Sequence, residues 1–214
     1  MKTNIPWRQK WGPMGPKDAT DAVIIVGNVR IAAHNAILAA ESDFYRKWLA
    51  ERPQSSDIPE LQLHYVSIHT VWRVMELLYC QTYSSKPCPH EDQPDDKGDL
   101  EQRGAVYQLA GHLGLSQILQ DTAFEYFRQA IEGDWKIENL LNSINTILHP
   151  ILQVDSLENL EKEDFRNDRI VTLMFHHLHE RRALFKEDDC LLSAHLQSVP
   201  IFMELFIDSW STYI

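Results

Sequence analysis

The densest group of side chains able to hold a metal or move a proton is Phe175-His-His-Leu-His-Glu180. On a helix, His176 and His179 lie three apart on one face with Glu180 beside them, and two imidazoles with a carboxylate can ligate zinc. A catalytic zinc site needs a third protein ligand and an open position. The chain has neither His-Glu-x-x-His nor a cysteine placed to complete the set. The run therefore reads as surface or partly buried histidines, and a metal-dependent hydrolase using His176, His179 and Glu180 stands as the alternative. Nucleophilic catalysis has less to build on, since Gly-x-Ser-x-Gly is absent and the cysteines have no helix-start setting. No phosphate cradle is visible either: Gly27 stands alone, and Gly111-x-x-Gly114 closes a helix instead of opening one. No catalytic residue, cofactor or metal is expected.

Composition narrows the remaining classes. A length of 214 residues with 44% apolar content is enough for one generous core or two small ones. The net charge of −11 argues against a nucleic-acid or anionic-membrane surface, because phosphate binding relies on clustered Lys and Arg. Three cysteines, Cys80, Cys88 and Cys190, at unrelated spacings do not suggest a disulfide framework. No apolar run approaches the roughly 18 residues of a membrane helix. An intracellular protein, cytoplasmic or nuclear, is expected.

The elements that would position any site are legible in the patterning. Ala22–Val26 and Val29–Ala33 form two short apolar runs joined by Gly27-Asn28, a hairpin whose turn residues tolerate positive φ. Helices follow at about 34–40 and 43–51, the second carrying Phe44, Trp48 and Leu49 on one side and capped by Ser42. After Pro53 the alternation of Leu61, Leu63 and Tyr65 predicts a third strand, able to lie parallel to a neighbour because helices intervene. Ser67 caps the next helix, which sets Ile68, Val71, Trp72, Met75, Leu78 and Tyr79 on one face.

Residues 1–19 are dense in Pro and Gly and read as a flexible tail, although Trp7 and Trp11 suit a segment that docks. Residues 84–99 are low in apolar content and read as a mobile insert within a domain of residues 20–132. Further helices are expected up to Gly114, at 116–133, at 140–150, around 170–178, at 191–196 and at 199–210, so 133–214 forms an all-helical C-terminal extension. The fold class is α+β: a small three-stranded sheet, hairpin plus one later strand, covered by helices.

Several of these residues carry a family resemblance. Asp21-Ala-Val-Ile-Ile-Val, Ile31-Ala-Ala-His34, Ala36-Ile-Leu38, Ser42-Asp-Phe44, Leu61 to Leu63, and Val74-Met-Glu-Leu-Leu-Tyr79 with Tyr83 fall in the order and spacing of BTB/POZ domains. Over roughly residues 20 to 131 the chain resembles that family, and its acidic insert and lack of a second recognisable domain are similar to many fungal members. The resemblance implies a non-enzymatic protein-interaction module, commonly a homodimer. It implies an adaptor that joins a client to a cullin-type ubiquitin ligase as a substrate receptor, or to transcriptional machinery. In transcriptional members a base follows the His and pairs with the Asp; here Asn35 stands beside His34 while Asp21 is matched, which counts against corepressor-style binding. Cullin-binding members carry a hydrophobic-x-Glu motif after the second helix. Leu49-Ala-Glu51 has that form a few residues early, with Pro53-Gln-Ser55 at the aligned place. The expected protein-binding residues are thus Asp21, His34, Asn35, Ile37, Trp48, Leu49 and Glu51, with a structural scaffold without a ubiquitin link as a further alternative.

Overall fold

Gly27 lets the first two strands fold back on one another. In the computed structural model, structure is described for residues 20–52, 57–64, 66–86, 88–89, 95, 98–133, 139–140, 143 and 168–180. Strands β1 (Ala22–Val26) and β2 (Val29–Ala33) pair antiparallel, with Val26 opposite Val29 and Ala22 opposite Ala33. Gly27 has φ +55°, and Asn28 is not among the residues with positive φ. A positive φ confined to the first central residue is the requirement of a type II′ turn, whose twist matches that of the strands. The tolerance of Asn28 for the left-handed region is not used.

The chain then forms α1 (Asn35–Glu41) and α2 (Asp43–Glu51) before returning as β3 (Glu60–Leu63). That helical crossover lets β3 lie parallel to β1, in the sheet order β2-β1-β3. Because strand side chains alternate, Ala22, Ile24, Val26, Ile31, Ala33, Leu61 and Leu63 all fall on one face, and all are buried. The other face carries the Arg30–Glu60 ion pair, which spans β1.

Helix α3 (Ile68–Cys80) is capped by Ser67, whose hydroxyl accepts the His69 N–H. Twelve of its thirteen residues are buried, Glu76 being the exception, so the helix is enclosed nearly all round rather than along the one face its apolar spacing predicts. Part of the cover comes from the segment expected to be a mobile insert. Among its described residues, Cys88 is buried and Asp95 makes a buried ion pair with Arg73. The contacts of these described residues run through backbone groups and one carboxylate, which apolar content does not register.

Helix α4 (Asp99–His112) ends at Gly114, where φ is +56°, and α5 (Gln117–Gly133) follows. The corner between them is stitched to the corner between α1 and α2. Ser42 Oγ accepts the Tyr45 N–H and donates to the Leu113 carbonyl at 2.6 Å, and the N–H groups of Asp43 and Ser116 bond Gly114 and Glu41 carbonyls. The chain divides into two compact units, Met1–Glu125 and Tyr126–Ile214. In the second, α6 (Arg169–Glu180) buries Ile170, Val171, Met174, Phe175 and Leu178. The expected tail at 1–19, the helices at 191–196 and 199–210, and most of that at 140–150 lie outside the described residues.

Candidate protein-interaction surface

The junction where β2 runs into α1 gathers three of the expected residues. Asp21 precedes β1, its N–H bonding the Ala33 carbonyl at 3.1 Å, so the start of β1 and the end of β2 lie side by side. Asp21 Oδ1 accepts the Asn35 backbone N–H at 2.7 Å, and the Asn35 side-chain amide donates to the Asp21 carbonyl at 2.7 Å. Asn35 Oδ1 in turn accepts the Tyr45 hydroxyl. A neutral amide therefore bridges Asp21 to Tyr45. The Asp21 carboxylate satisfies the first N–H of α1, a position where the helix dipole favours negative charge.

His34 occupies the N-cap position of α1, but its side chain makes no cap hydrogen bond. Its hydrogen bonds run instead across the domain. The His34 N–H donates to the Tyr79 hydroxyl at 2.9 Å, and the same oxygen lies 2.9 Å from His34 Nδ1. A hydroxyl that accepts the amide hydrogen can give its own hydrogen to Nδ1. Tyr79 thus ties α3 to the strand-to-helix junction.

Burial, reinforced by the nearby Asp21 charge, pushes the Tyr45 hydroxyl up to about 12. The Tyr79 hydroxyl is also raised to about 12 by burial, against the opposing pull of the His34 N–H. Both hydroxyls stay protonated through the neutral range, where they serve as hydrogen-bonding struts and not as bases.

Near this polar junction several apolar side chains are incompletely covered. Ile37 on α1, and Phe44, Trp48 and Leu49 on α2, are half-buried, while Glu51 is exposed. Tyr45 takes the fully buried place on α2 and stacks against Trp48 at 5.3 Å between ring centroids. Arg52 lies over the other neighbourhood of that indole, 5.7 Å from its ring centroid. Asp21 and Asn35 are joined in one network with Tyr45, which reaches Trp48, while His34 is bonded to Tyr79. No bond links Ile37, Leu49 or Glu51 to that network among the described contacts. Tyr45 and Tyr79 were the residues missed as site members. Tyr79 stands in the Leu-Tyr-x-x-x-Tyr pattern, whereas Tyr45, beside the bulky Phe44, gives no sequence signal of its own.

The histidine run divides. His177 is buried, and His176 Nε2 lies 3.3 Å from Glu180 Oε1 one turn on, at the surface. Among the described residues no group of three or more His, Cys, Asp or Glu side chains is placed to hold a metal ion. No helix among them is long and apolar enough to cross a membrane.

The family model of the BTB/POZ domain matches residues 13–120, just over half of the 214 residues. Among solved structures, the BTB domain of zebrafish PATZ1 is similar at 19% sequence identity, with a TM-score of 0.37, over 54% of this chain and 77% of that one. No curated protein matches the chain.

Proposed function

The chain belongs to the BTB/POZ domain family, and from that premise we propose that it is a self-associating adaptor, without catalytic activity, that joins a client protein to a larger assembly inside the cell. The observation that carries self-association is that Ile37 on α1 and Trp48 and Leu49 on α2 are each left only half-buried, near the hydrogen-bonded junction of Asp21, Asn35 and Tyr45. Apolar side chains held on fixed helices form an interface at little ordering cost. A homodimer would be isologous, each protomer offering the same patch. The interaction domain runs from residue 20 to 132 in this reading, and the helices of 133–214 are left to choose clients.

Concentration-dependent mass by analytical ultracentrifugation tests this. A dimer is expected at micromolar concentration, and Ile37→Glu should weaken it by about tenfold or more, since a charge buried at the centre of an interface costs more than 1.4 kcal/mol. A chain that stays monomeric at high micromolar concentration overturns self-association. Leu49 and Glu51, on the last turn of α2, are the residues a cullin scaffold would engage. Co-purification of a cullin that is lost on Leu49→Arg would place the adaptor on a ubiquitin ligase. Clients without a cullin would make it a scaffold or a transcription-associated protein. Nothing at His176, His179 and Glu180 favours a hydrolase.

A further inference from the structure

A three-stranded sheet ordered β2-β1-β3 has two edges, and the chain guards them unequally. The Val23 N–H bonds the Pro59 carbonyl at 2.9 Å, so Val23 and Ile25 turn their backbone groups towards β3. Ala22, Ile24 and Val26 turn theirs towards Ala33, Ile31 and Val29 of β2. The same alternation runs along β2. Its Arg30 and Ala32 therefore point their N–H and C=O groups away from β1, and no backbone hydrogen bond to them is present among the described residues.

Exposed edges are kept from foreign strands by shortness, charge, proline or a bulge. Strand β3 has two of these, being four residues long and preceded by the exposed Asp57. Strand β2 is five residues long and has only Arg30. That guanidinium is drawn back over β1 to the Glu60 carboxylate, Nη1 donating to Oε2 at 3.3 Å and Nη2 pairing with Oε1. The charge that would defend the edge is neutralised and held over the central strand, which leaves the small, exposed Ala32 beside open backbone groups.

The order of side chains on β2 suits it to a second copy of itself. Two β2 strands laid antiparallel about a two-fold axis at Ile31 set Arg30 of each copy opposite Ala32 of the other, and each such pair exchanges both backbone hydrogen bonds. A long side chain then meets a short one, and no like charges stand directly opposite. Ile31, buried in its own core, is undisturbed. We propose that the free edge of β2 is a second contact between copies of this chain, joining two three-stranded sheets into one continuous sheet. It does not rest on the half-buried side chains of α1 and α2, and two different two-fold contacts on one chain build assemblies larger than a dimer. The contact is small, so it forms only at high concentration.

Hydrogen exchange of the full chain at rising concentration reads the edge directly. The Arg30 and Ala32 amides should exchange rapidly in dilute solution and slow by about fivefold or more between about 10 µM and about 1 mM, while Ile24 and Ile31, already bonded within the sheet, change little. Ala32→Pro removes one outward N–H and leaves the ladder with β1 intact, so it should keep the melting temperature close to that of the wild type and abolish the slowing at Arg30. If the proline disturbs the strand, Ala32→Lys supplies the same test by setting a like charge opposite Arg30. The proposal is overturned by exchange at Arg30 and Ala32 that ignores concentration, by slowing that survives both substitutions, or by slowing that appears at Glu60 and Gln62 of the β3 edge instead. Ile37→Glu, aimed at the other surface, should leave the slowing in place. The edge contact can thus fail while the apolar dimer stands, and persist where that dimer is lost.

Discussion

Removing one oxygen from Tyr79 probes how the strand-to-helix junction is held. The hydroxyl receives the His34 N–H and reaches its Nδ1, each at 2.9 Å. Tyr79→Phe keeps the ring and strands the amide, which costs about 1–3 kcal/mol when a partly buried donor loses its partner. Chemical denaturation should show that loss without a change in the slope against denaturant. Titration gives a second readout. The folded-state value of Tyr79 is raised from an ordinary 10.0 to about 12, so the neutral form is favoured by folding. Its contribution is complete below pH 10 and is lost as pH rises through about 12. The wild type should thus lose stability across that window, and Tyr79→Phe should flatten the decline. An unchanged alkaline slope would assign the loss to Tyr45, which is raised to a similar value. At this scale Asp21, His34 and Asn35 are marked in the sequence by the family pattern, which says nothing of the hydrogen bonds they make. Their partners are not legible, since Tyr79 lies 45 residues from His34 and only the fold brings the two together.

Two backbone positions decide how the elements join. Gly114 has φ +56°, and a Cβ built there would stand 3.0 Å from Asp43 Cβ, so both conformation and space demand glycine. Gly114→Ala should destabilise by roughly 1–3 kcal/mol, seen as a lower melting temperature, because it strains the turn and pries at the corner joined through Ser42. Gln81, at the end of α3, also has positive φ, at +55°, without being glycine. Gln81→Gly should raise stability by about 0.5–1 kcal/mol as the side-chain strain disappears, partly offset by a freer unfolded chain. The elements themselves were readable. Period-two alternation marks β3, Ser42 and Ser67 mark two helix starts, and Gly114 marks a helix end. What the patterning hid is the enclosure of α3, where Arg73 is buried at the centre of a run that spacing alone assigns to a polar face. Charge sets the expectation for such a residue, and the backbone carbonyls of Ser84 and Ser85 together with the Asp95 carboxylate overturn it.

For the whole molecule, the dominant quantity is the net charge of −11. Two copies brought together repel, and that repulsion reaches as far as the ionic atmosphere allows: about 10 Å at 0.1 M salt and about 3 Å at 1 M. The side chains assigned to self-association, Ile37, Trp48 and Leu49, are apolar and carry no charge for salt to screen. Screening therefore removes a cost without removing an attraction. Dimerisation should strengthen with salt, the dissociation constant falling several-fold between 0.05 and 0.5 M sodium chloride by sedimentation equilibrium. If dimerisation weakens with salt instead, the homodimer is held by ion pairs at its rim and the apolar side chains are not its centre.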